Sequence, residues 1–191
     1  MFLVEADYAL KYAQSDMTLD VEKDLGLTEE QMSQMYDYTK QIMTTEEGSI
    51  KGVTAFASPG LFTYRRSIAK DVLGTDDPVQ VQEYLTDWDK FDEAAVMAKE
   101  KGYKMLSGYS DSYRVFSNNV SQPWVDGTKI QIDKNIENWI EQTKEYTDKE
   151  YNNKHGIWSD GWTADQGSSG NVFGFFLPTW GINFTLMANS L

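Results

Sequence analysis

"NVFGFFLPTWGINF" (residues 171–184) begins as an apolar run and continues as a helical pattern. A short run this rich in phenylalanine predicts a buried strand. Pro178 ends the run, and because proline favours the first helical position, a helix is predicted to begin at Pro178 or Thr179. The predicted core residues are Phe173, Phe175 and Phe176 in the strand and Ile182 and Phe184 on the helix. Trp180 lies at the turn between them.

The same alternation of short apolar runs and amphipathic segments extends over the rest of the chain. Strands are predicted at residues 2–6, 50–57, 103–108 and 129–133, and at the start of the 61–74 segment. Helices are predicted after Thr28, which with Gln31 has the pattern of a capping box, behind Pro78, over 87–102 and over 135–149, whereas 150–170 is predicted to be a loop. The 61–74 segment is predicted to continue as a helix that ends at Gly74, and the 87–102 helix is predicted to bury Phe91, Ala94, Ala95 and Ala98 and to end at Gly102. This order predicts an α/β fold with a mainly parallel sheet.

One interruption suggests a boundary between two parts of the chain. Proline and glycine interrupt two consecutive β-type runs between Ala57 and Gly60. Proline and glycine interrupt helices and strands more strongly than other residues do. The chain is therefore predicted to divide into residues 1–58 and residues 59–191.

The charge balance excludes one class of partner. Seventeen basic and 30 acidic side chains give a net charge of −13, and no local cluster of lysine and arginine reverses it. Because such a surface repels phosphate backbones and anionic lipid, nucleic-acid binding is not expected. No apolar run approaches the ~18 residues of a membrane span. The N-terminus has no basic leader and reaches a charge at Glu5, so these residues are not expected to be a signal peptide.

Several kinds of catalytic and cofactor site are also unsupported. The chain has no cysteine and a single histidine, His155, so a Cys/His zinc site cannot be built. His155 lies in a polar, glycine-containing loop and is predicted to be solvated. No phosphate-binding glycine motif and no nucleophile-elbow motif occurs. We therefore predict no metal, cofactor or catalytic residue.

What remains is a set of polar and aromatic residues at predicted strand ends and in loops. In parallel α/β sheets ligands bind beyond the carboxyl ends of the strands. A carboxylate accepts hydrogen bonds from sugar hydroxyls, and an indole face covers the C–H side of a sugar ring. The candidate ligand-binding residues are Asp7, Tyr8, Ser58, Asp111, Tyr113, Trp158, Trp162 and Trp180.

Two alternatives stay open at this point. Asp160 and Asp165 suggest a carbohydrate-active hydrolase, although no spacing fixes two carboxylates ~5 to 10 Å apart as that chemistry requires. Some candidates also have purely structural interpretations. Asp7 has the position of a helix N-cap, and Tyr113 and Trp180 suit packing at the rim of a core.

Several longer segments resemble one protein family. "SPGLFTYRRSIAKDVLGTDDPVQVQEYLTDWDKF", "YRVFSNN" and "FGFFLPTWGINF" resemble extracellular, periplasmic-type solute-binding proteins of bacterial carbohydrate ABC transporters, which are maltose-binding-like. "FLVEADYALKY" resembles the strand and helix below the family's cleft. The similarity extends over essentially the whole chain and is common among Gram-positive members.

The resemblance implies a type II fold of two α/β lobes that close on a ligand. Residues 1–58 would be a partial first lobe and 59–191 most of the second, with a hinge crossing near 57–60. The chain would be an internal segment of a non-enzymatic lipoprotein at the outer cell surface, its signal and membrane anchor absent from this chain. The implied partners are a sugar or oligosaccharide and the permease subunits of the transporter.

In the predicted first lobe, the resemblance assigns three residues to the ligand site. Asp7 and Tyr8 match positions where relatives hydrogen-bond sugar hydroxyls. Ser58 falls where some relatives carry an acidic ligand contact.

In the predicted second lobe, Asp111 and Tyr113 match a loop that faces the cleft. Trp180 matches a tryptophan that stacks on a sugar ring after a Gly/Pro turn. Trp158 and Trp162 lie in a loop that varies among relatives.

Overall fold

The computed structural model describes residues 1–190, which form two compact units. The smaller unit is Met1–Ser58 and the larger unit is Pro59–Leu191. Their boundary lies inside the Ala57–Gly60 interruption. The assignment of the units to lobes, and of the boundary to a hinge, stays a prediction. No helix in residues 1–190 is both long and apolar enough to cross a membrane.

The smaller unit consists of short helices joined by turns. A 3-10 turn (Ala6–Tyr8) leads into α1 (Ala9–Ala13), and α2 (Glu29–Met32) and α3 (Asp37–Gln41) follow. The predicted capping box is confirmed, because the Thr28 hydroxyl accepts from the Gln31 amide and the Gln31 side chain accepts from the Thr28 amide. The helix predicted after it is shorter than expected, since Tyr36 is extended and separates α2 from α3.

The two strands predicted in the smaller unit are wrong. Residues 2–5 have no strand partner, and Phe2 and Leu3 are exposed. The 50–57 segment forms only one isolated antiparallel bridge, between Thr44 and Ile50. A strand is stabilised by the ladder to its neighbour, so an apolar run without a partner in the unit stays irregular.

The sheet of the larger unit joins distant segments. Strand β1 (Gly60–Tyr64) pairs antiparallel with β4 (Gly174–Pro178), with Gly60 opposite Pro178 and Tyr64 opposite Gly174. A separate two-residue hairpin joins β2 (Val125–Asp126) to β3 (Lys129–Ile130). The mainly parallel sheet is therefore a wrong prediction for the described residues, where parallel pairing is limited to isolated bridges of the 104–106 segment with residues 152 and 172.

The larger unit contains the helices predicted behind Pro78, within 87–102 and near 135–149, and a further helix at 160–166 in the segment predicted to be a loop. They are α4 (Arg66–Leu73), α5 (Pro78–Glu83), α6 (Trp88–Glu100), α7 (Tyr113–Ser117), α8 (Lys134–Asp148), α9 (Asp160–Gln166), α10 (Thr179–Gly181) and α11 (Met187–Asn189). A π-helical turn (Ile182–Leu186) connects α10 to α11. Gly74 and Gly102 are predicted to end α4 and α6. Both have positive φ, the left-handed conformation that commonly follows the end of a helix.

The main core lies between α6 and the β1–β4 sheet. The predicted buried face of α6 is confirmed at Phe91, Ala94, Ala95 and Ala98. Phe62 of β1 contacts Phe91 edge-on, with ring centroids 5.2 Å apart. Phe173 and Phe175 are buried, as the apolar run predicts. This core fixes the end of β4. The C-terminal helix, which consists of α10, the π-helical turn and α11, begins directly after it.

The orientation of the C-terminal helix differs from the prediction. Its buried face is made of the small residues Gly181 and Thr185, and Gly181 lies so close to Leu177 that a Cβ there would be 3.0 Å from the leucine Cβ. Because the small face approaches the strand, the aromatic face points away from it. Phe184 is consequently exposed rather than buried, and Ile182 is at the border of exposure.

Candidate ligand-binding site

Three exposed rings form one cluster on the larger unit, here called the aromatic cluster: Trp158, Trp180 and Phe184. The two indoles are parallel within 5°, with ring centroids 6.3 Å apart. The phenyl ring stands edge-on to both, 5.8 Å from Trp180 and 6.3 Å from Trp158. Their exposed fractions are 57% for Trp158, 46% for Trp180 and 70% for Phe184. Large rings this exposed and this close together are the signature of an interaction site.

The distance between the indoles of Trp158 and Trp180 limits how a ligand can bind to them. A ring held between two indoles needs about 3.5–4.0 Å of contact distance on each side, or roughly 7–8 Å in all. The centroids of Trp158 and Trp180 are 6.3 Å apart, so the gap is smaller than this. A flat ligand therefore lies over the exposed faces of the cluster and not between the indoles.

Trp158 has an unusual backbone conformation. Its φ is +69°, in the left-handed region that residues with a Cβ rarely adopt. Lys154 in the same segment has φ +62°. Each such residue costs of the order of 1–2 kcal/mol, so the surroundings must hold it in place. The segment that carries Trp158 is thus fixed by its contacts and not by its own preference.

The ring of Trp162 supports Trp158 from the interior. It is buried on α9, 5.1 Å from the Trp158 ring, and it meets Phe175 of β4 edge-on. Its indole N–H donates to Asp111 Oδ1 at 3.1 Å. Ser159 caps α9 by accepting from the Trp162 amide. The 150–170 loop prediction is wrong here, because it missed this cap and the helix that follows.

Asp111 is a buried acceptor. Its second oxygen accepts from the backbone amides of Ser107 and Gly108, each at 2.8 Å. Gly108 leaves no room for a side chain, because a Cβ there would meet the carbonyl oxygen of His155. Asp111 therefore ties the 107–111 segment to α9 through Trp162.

Burial changes the titration of Asp111. Desolvation raises the pKa of its carboxyl from 3.8 to about 6, and the nearby Asp165 charge adds to the increase, against the lowering effect of the hydrogen bonds it accepts. The folded protein therefore holds a proton on Asp111 in a pH range where the unfolded chain has already released it.

The stability of the larger unit is expected to depend on pH through Asp111. Because the folded state binds more protons between the two pKa values, this carboxyl destabilises the fold as pH rises through about 6. The full difference is of the order of 3 kcal/mol. Urea unfolding of wild type and Asp111→Asn at about pH 7 and about pH 5 covers roughly half of this difference, about 1.4 kcal/mol. The wild type should gain stability relative to the variant at the lower pH, and an equal pH dependence in both proteins would refute the assignment.

His155 is not simply solvated, so that prediction is wrong. Its Nδ1 lies 2.9 Å from Asp165 Oδ2, and its backbone amide donates to the Ser107 carbonyl at 3.1 Å. Asp165 also accepts from the Ser107 hydroxyl at 2.6 Å and from Asn153 at 2.9 Å.

Arg65 holds the end of α9 and the turn that follows. Its guanidinium donates to five backbone carbonyls, at 2.6–3.4 Å, in the 165–170 segment. A cation at the carboxyl end of a helix also interacts favourably with the helix dipole. The arginine follows directly after β1, so it links the sheet to the helix that carries Trp162.

The structure brings only some of the predicted site residues together. Trp158, Trp162, Trp180 and Asp111 belong to one region of the larger unit. Tyr113 begins α7 and packs edge-on against Trp139, with centroids 4.9 Å apart.

The other three predicted residues belong to the smaller unit. Asp7 and Tyr8 are exposed on its first turn, and Ser58 is half-buried at its end. The N-cap alternative for Asp7 is wrong, because Glu5 caps the 3-10 turn and accepts from the Asp7 amide.

The hydrolase alternative gains little from the geometry. Asp165 is buried and already accepts hydrogen bonds from three side chains. Asp160 is exposed at the start of α9. A glycosidase needs two carboxyl groups that face the scissile bond. One of the two candidate acids thus serves as an internal acceptor, as does the neighbouring Asp111.

Phe184 is the ligand-site candidate that the sequence analysis missed. Its spacing from Trp180, four residues along a helix, places the two rings on one face. That spacing was a usable signal, but the same face was interpreted as buried.

Comparison with known proteins supports the fold. No protein-family model and no curated protein matches this sequence. A crystal structure described as "Extracellular solute-binding protein family 1" is similar over 97% of this chain, with a TM-score of 0.83 and 19% sequence identity. The match covers 48% of that protein, so this chain spans about half its length. The chain shares the fold of part of an extracellular solute-binding protein.

Proposed function

We propose that the chain is part of the carbohydrate-binding component of a bacterial ABC importer. The aromatic cluster is the place where the larger unit contacts the sugar. The observation that carries this proposal is the pair of exposed, parallel indoles of Trp158 and Trp180 on a backbone held by buried contacts. Indole faces cover the C–H side of a sugar ring, and their rigidity lowers the entropic cost of binding.

The remaining predicted residues take different roles in this proposal. Asp111 and Trp162 support Trp158 from below, since both are buried and bonded to each other. Tyr113 packs against Trp139 and is proposed to face the ligand, as the resemblance implies. Asp7, Tyr8 and Ser58 of the smaller unit are proposed to hydrogen-bond sugar hydroxyls, as the resemblance implies.

The proposed protein binds and releases its solute without chemical change. Most of the carboxylates near the aromatic cluster are engaged in internal hydrogen bonds, which supports binding and not acid–base catalysis. The proposed partners are a sugar or oligosaccharide and the permease subunits of a transporter. The proposed location is the outer cell surface. The net charge of −13 supports a neutral ligand over an anionic one.

Tryptophan fluorescence tests the proposed site. Neutral oligosaccharides, namely maltotriose, cellotriose, xylotriose and mannotriose, are titrated into wild type, Trp180→Ala and the control Trp124→Ala. We expect a saturable change with at least one sugar, with a dissociation constant of about a millimolar or weaker for this chain. The change should be lost in Trp180→Ala and kept in Trp124→Ala, whose indole is also exposed. Unchanged affinity in Trp180→Ala would remove Trp180 from the site.

A further inference from the structure

A buried carboxylate bonds to the segment that carries Trp158 at two of its side chains. Asp165 accepts from three side chains: Ser107, Asn153 and His155. Two of these donors, Asn153 and His155, precede Trp158 by five and three residues. The carboxylate itself is fixed on α9, whose carboxyl end is held by Arg65. Asp165 thus connects the irregular 153–158 segment to a rigid element.

His155 is held from two sides. Its Nδ1 contacts Asp165, and its ring lies against Gly161 so closely that a Cβ at that position would be 2.6–2.7 Å from ring atoms. The backbone of His155 is fixed as well, because its amide donates to the Ser107 carbonyl and its own carbonyl lies against Gly108. The imidazole therefore has a defined orientation although it is partly exposed.

We propose that the His155–Asp165 pair is the positioning element of the ligand site, which holds the left-handed Trp158 segment and so sets the orientation of the Trp158 indole. Neither residue contacts the ligand. The geometry of the pair stands on its own, and its effect on ligand affinity rests on the proposed function.

The hydrogen bond within the pair has a defined direction. A carboxylate oxygen accepts hydrogen bonds, so the imidazole donates from Nδ1 to Asp165 Oδ2 at 2.9 Å. Hydrogen bonds to a charged acceptor are stronger than those between neutral groups. The contact therefore fixes the orientation of the ring and the start of the segment that carries Trp158.

Fluorine NMR without any ligand tests the positioning directly. The full chain is labelled with 5-fluorotryptophan, and the Trp158 and Trp162 signals are assigned by replacing each residue with phenylalanine. We expect the Trp158 signal to move when the His155–Asp165 contact is removed. The Trp162 signal should move less, because that indole is held separately by its hydrogen bond to Asp111.

Two replacements of His155 test whether its hydrogen bond positions Trp158. His155→Asn keeps an N–H donor near the Nδ1 position, so it should keep the Trp158 signal near its wild-type position. His155→Leu removes the donor, so the signal should move, and affinity for any oligosaccharide that binds wild type should fall about tenfold.

Gly161→Ala displaces the imidazole without altering either member of the pair. It should move the Trp158 signal as His155→Leu does. Gly60→Ala is the matched control, because a Cβ at Gly60 meets nothing within 4 Å, and it should leave the signal unchanged.

The outcomes that would overturn the proposal are distinct from those that would overturn the proposed function. If His155→Leu and Gly161→Ala melt cooperatively and the Trp158 signal stays at its wild-type position, the pair does not position Trp158. If those two variants fail to fold, His155→Asn decides, since a folded variant whose Trp158 signal moves although the N–H donor is kept would contradict the proposal. If no sugar binds but these shifts occur, the positioning holds and the proposed function fails.

Discussion

Replacing Trp162 by alanine is expected to lower the free energy of unfolding of the larger unit by about 4 kcal/mol, the range found for large aromatic side chains removed from a core. The ring is almost fully buried between Trp158 and Phe175, so its removal leaves a cavity that neighbouring rings cannot fill. The loss also leaves Asp111 Oδ1 without its donor. Urea unfolding followed by far-UV circular dichroism measures the change.

Two further variants separate packing from hydrogen bonding at this position. Trp162→Phe fills most of the volume but lacks the N–H, so we expect a loss of about 2 kcal/mol and a further rise in the pKa of Asp111. Trp124→Ala removes an exposed indole and should change stability by less than about 1 kcal/mol. Equal losses in Trp162→Ala and Trp124→Ala would mean that Trp162 does not support the site.

Arg65→Leu is expected to destabilise the larger unit by about 3 kcal/mol, because several charge-assisted hydrogen bonds are lost and the carbonyls at the end of α9 lose their donor. The five carbonyls that Arg65 joins lie in one segment, at 165–170. The effect should extend to the aromatic cluster, since Trp162 lies on the same helix. The same urea experiment gives the stability, and the fluorotryptophan signal of Trp162 gives the local change.

The neighbouring arginine supplies the control. Arg66 forms an exposed ion pair with Asp76, 2.8 Å apart, and Arg66→Leu should cost less than about 1 kcal/mol. The loss of stability in Arg65→Lys should lie between those of Arg65→Leu and Arg66→Leu, because an ammonium group has three donors and lacks the planar arrangement with which the guanidinium reaches five carbonyls. Equal effects of Arg65→Leu and Arg66→Leu would show that the carbonyl contacts contribute no net stability.

The sequence predicts local elements better than it predicts pairing. Thr28 with Gln31, Pro78, Gly74 and Gly102 act on their own turn of helix, and each helix boundary they indicate is present. The direction of the sheet depends instead on segments over 100 residues apart, as β1 and β4 are. Alternating strands and helices favour parallel pairing only where the crossover connects neighbouring strands.

The candidate site was predictable in part for the same reason. The exposed position of Trp180 follows from the Pro178 turn beside it. The support of Trp158 does not follow from any short pattern, because Asp165 meets Ser107 58 residues away and Trp162 meets Asp111 51 residues away. His155 is surrounded by polar residues in the sequence, yet the fold half-buries it against a carboxylate.

Fluorine NMR of the fluorotryptophan-labelled chain, titrated with the four neutral oligosaccharides, tests the proposed function most directly. For at least one sugar, the signals of Trp158 and Trp180 should shift together and saturate, because both indoles belong to the aromatic cluster. The signal of Trp124, which is 47% exposed but lies on the hairpin side of the unit, should stay in place. Signals of Trp158 and Trp180 that do not move with any of the sugars, or that move no more than that of Trp124, would contradict a carbohydrate site at the aromatic cluster.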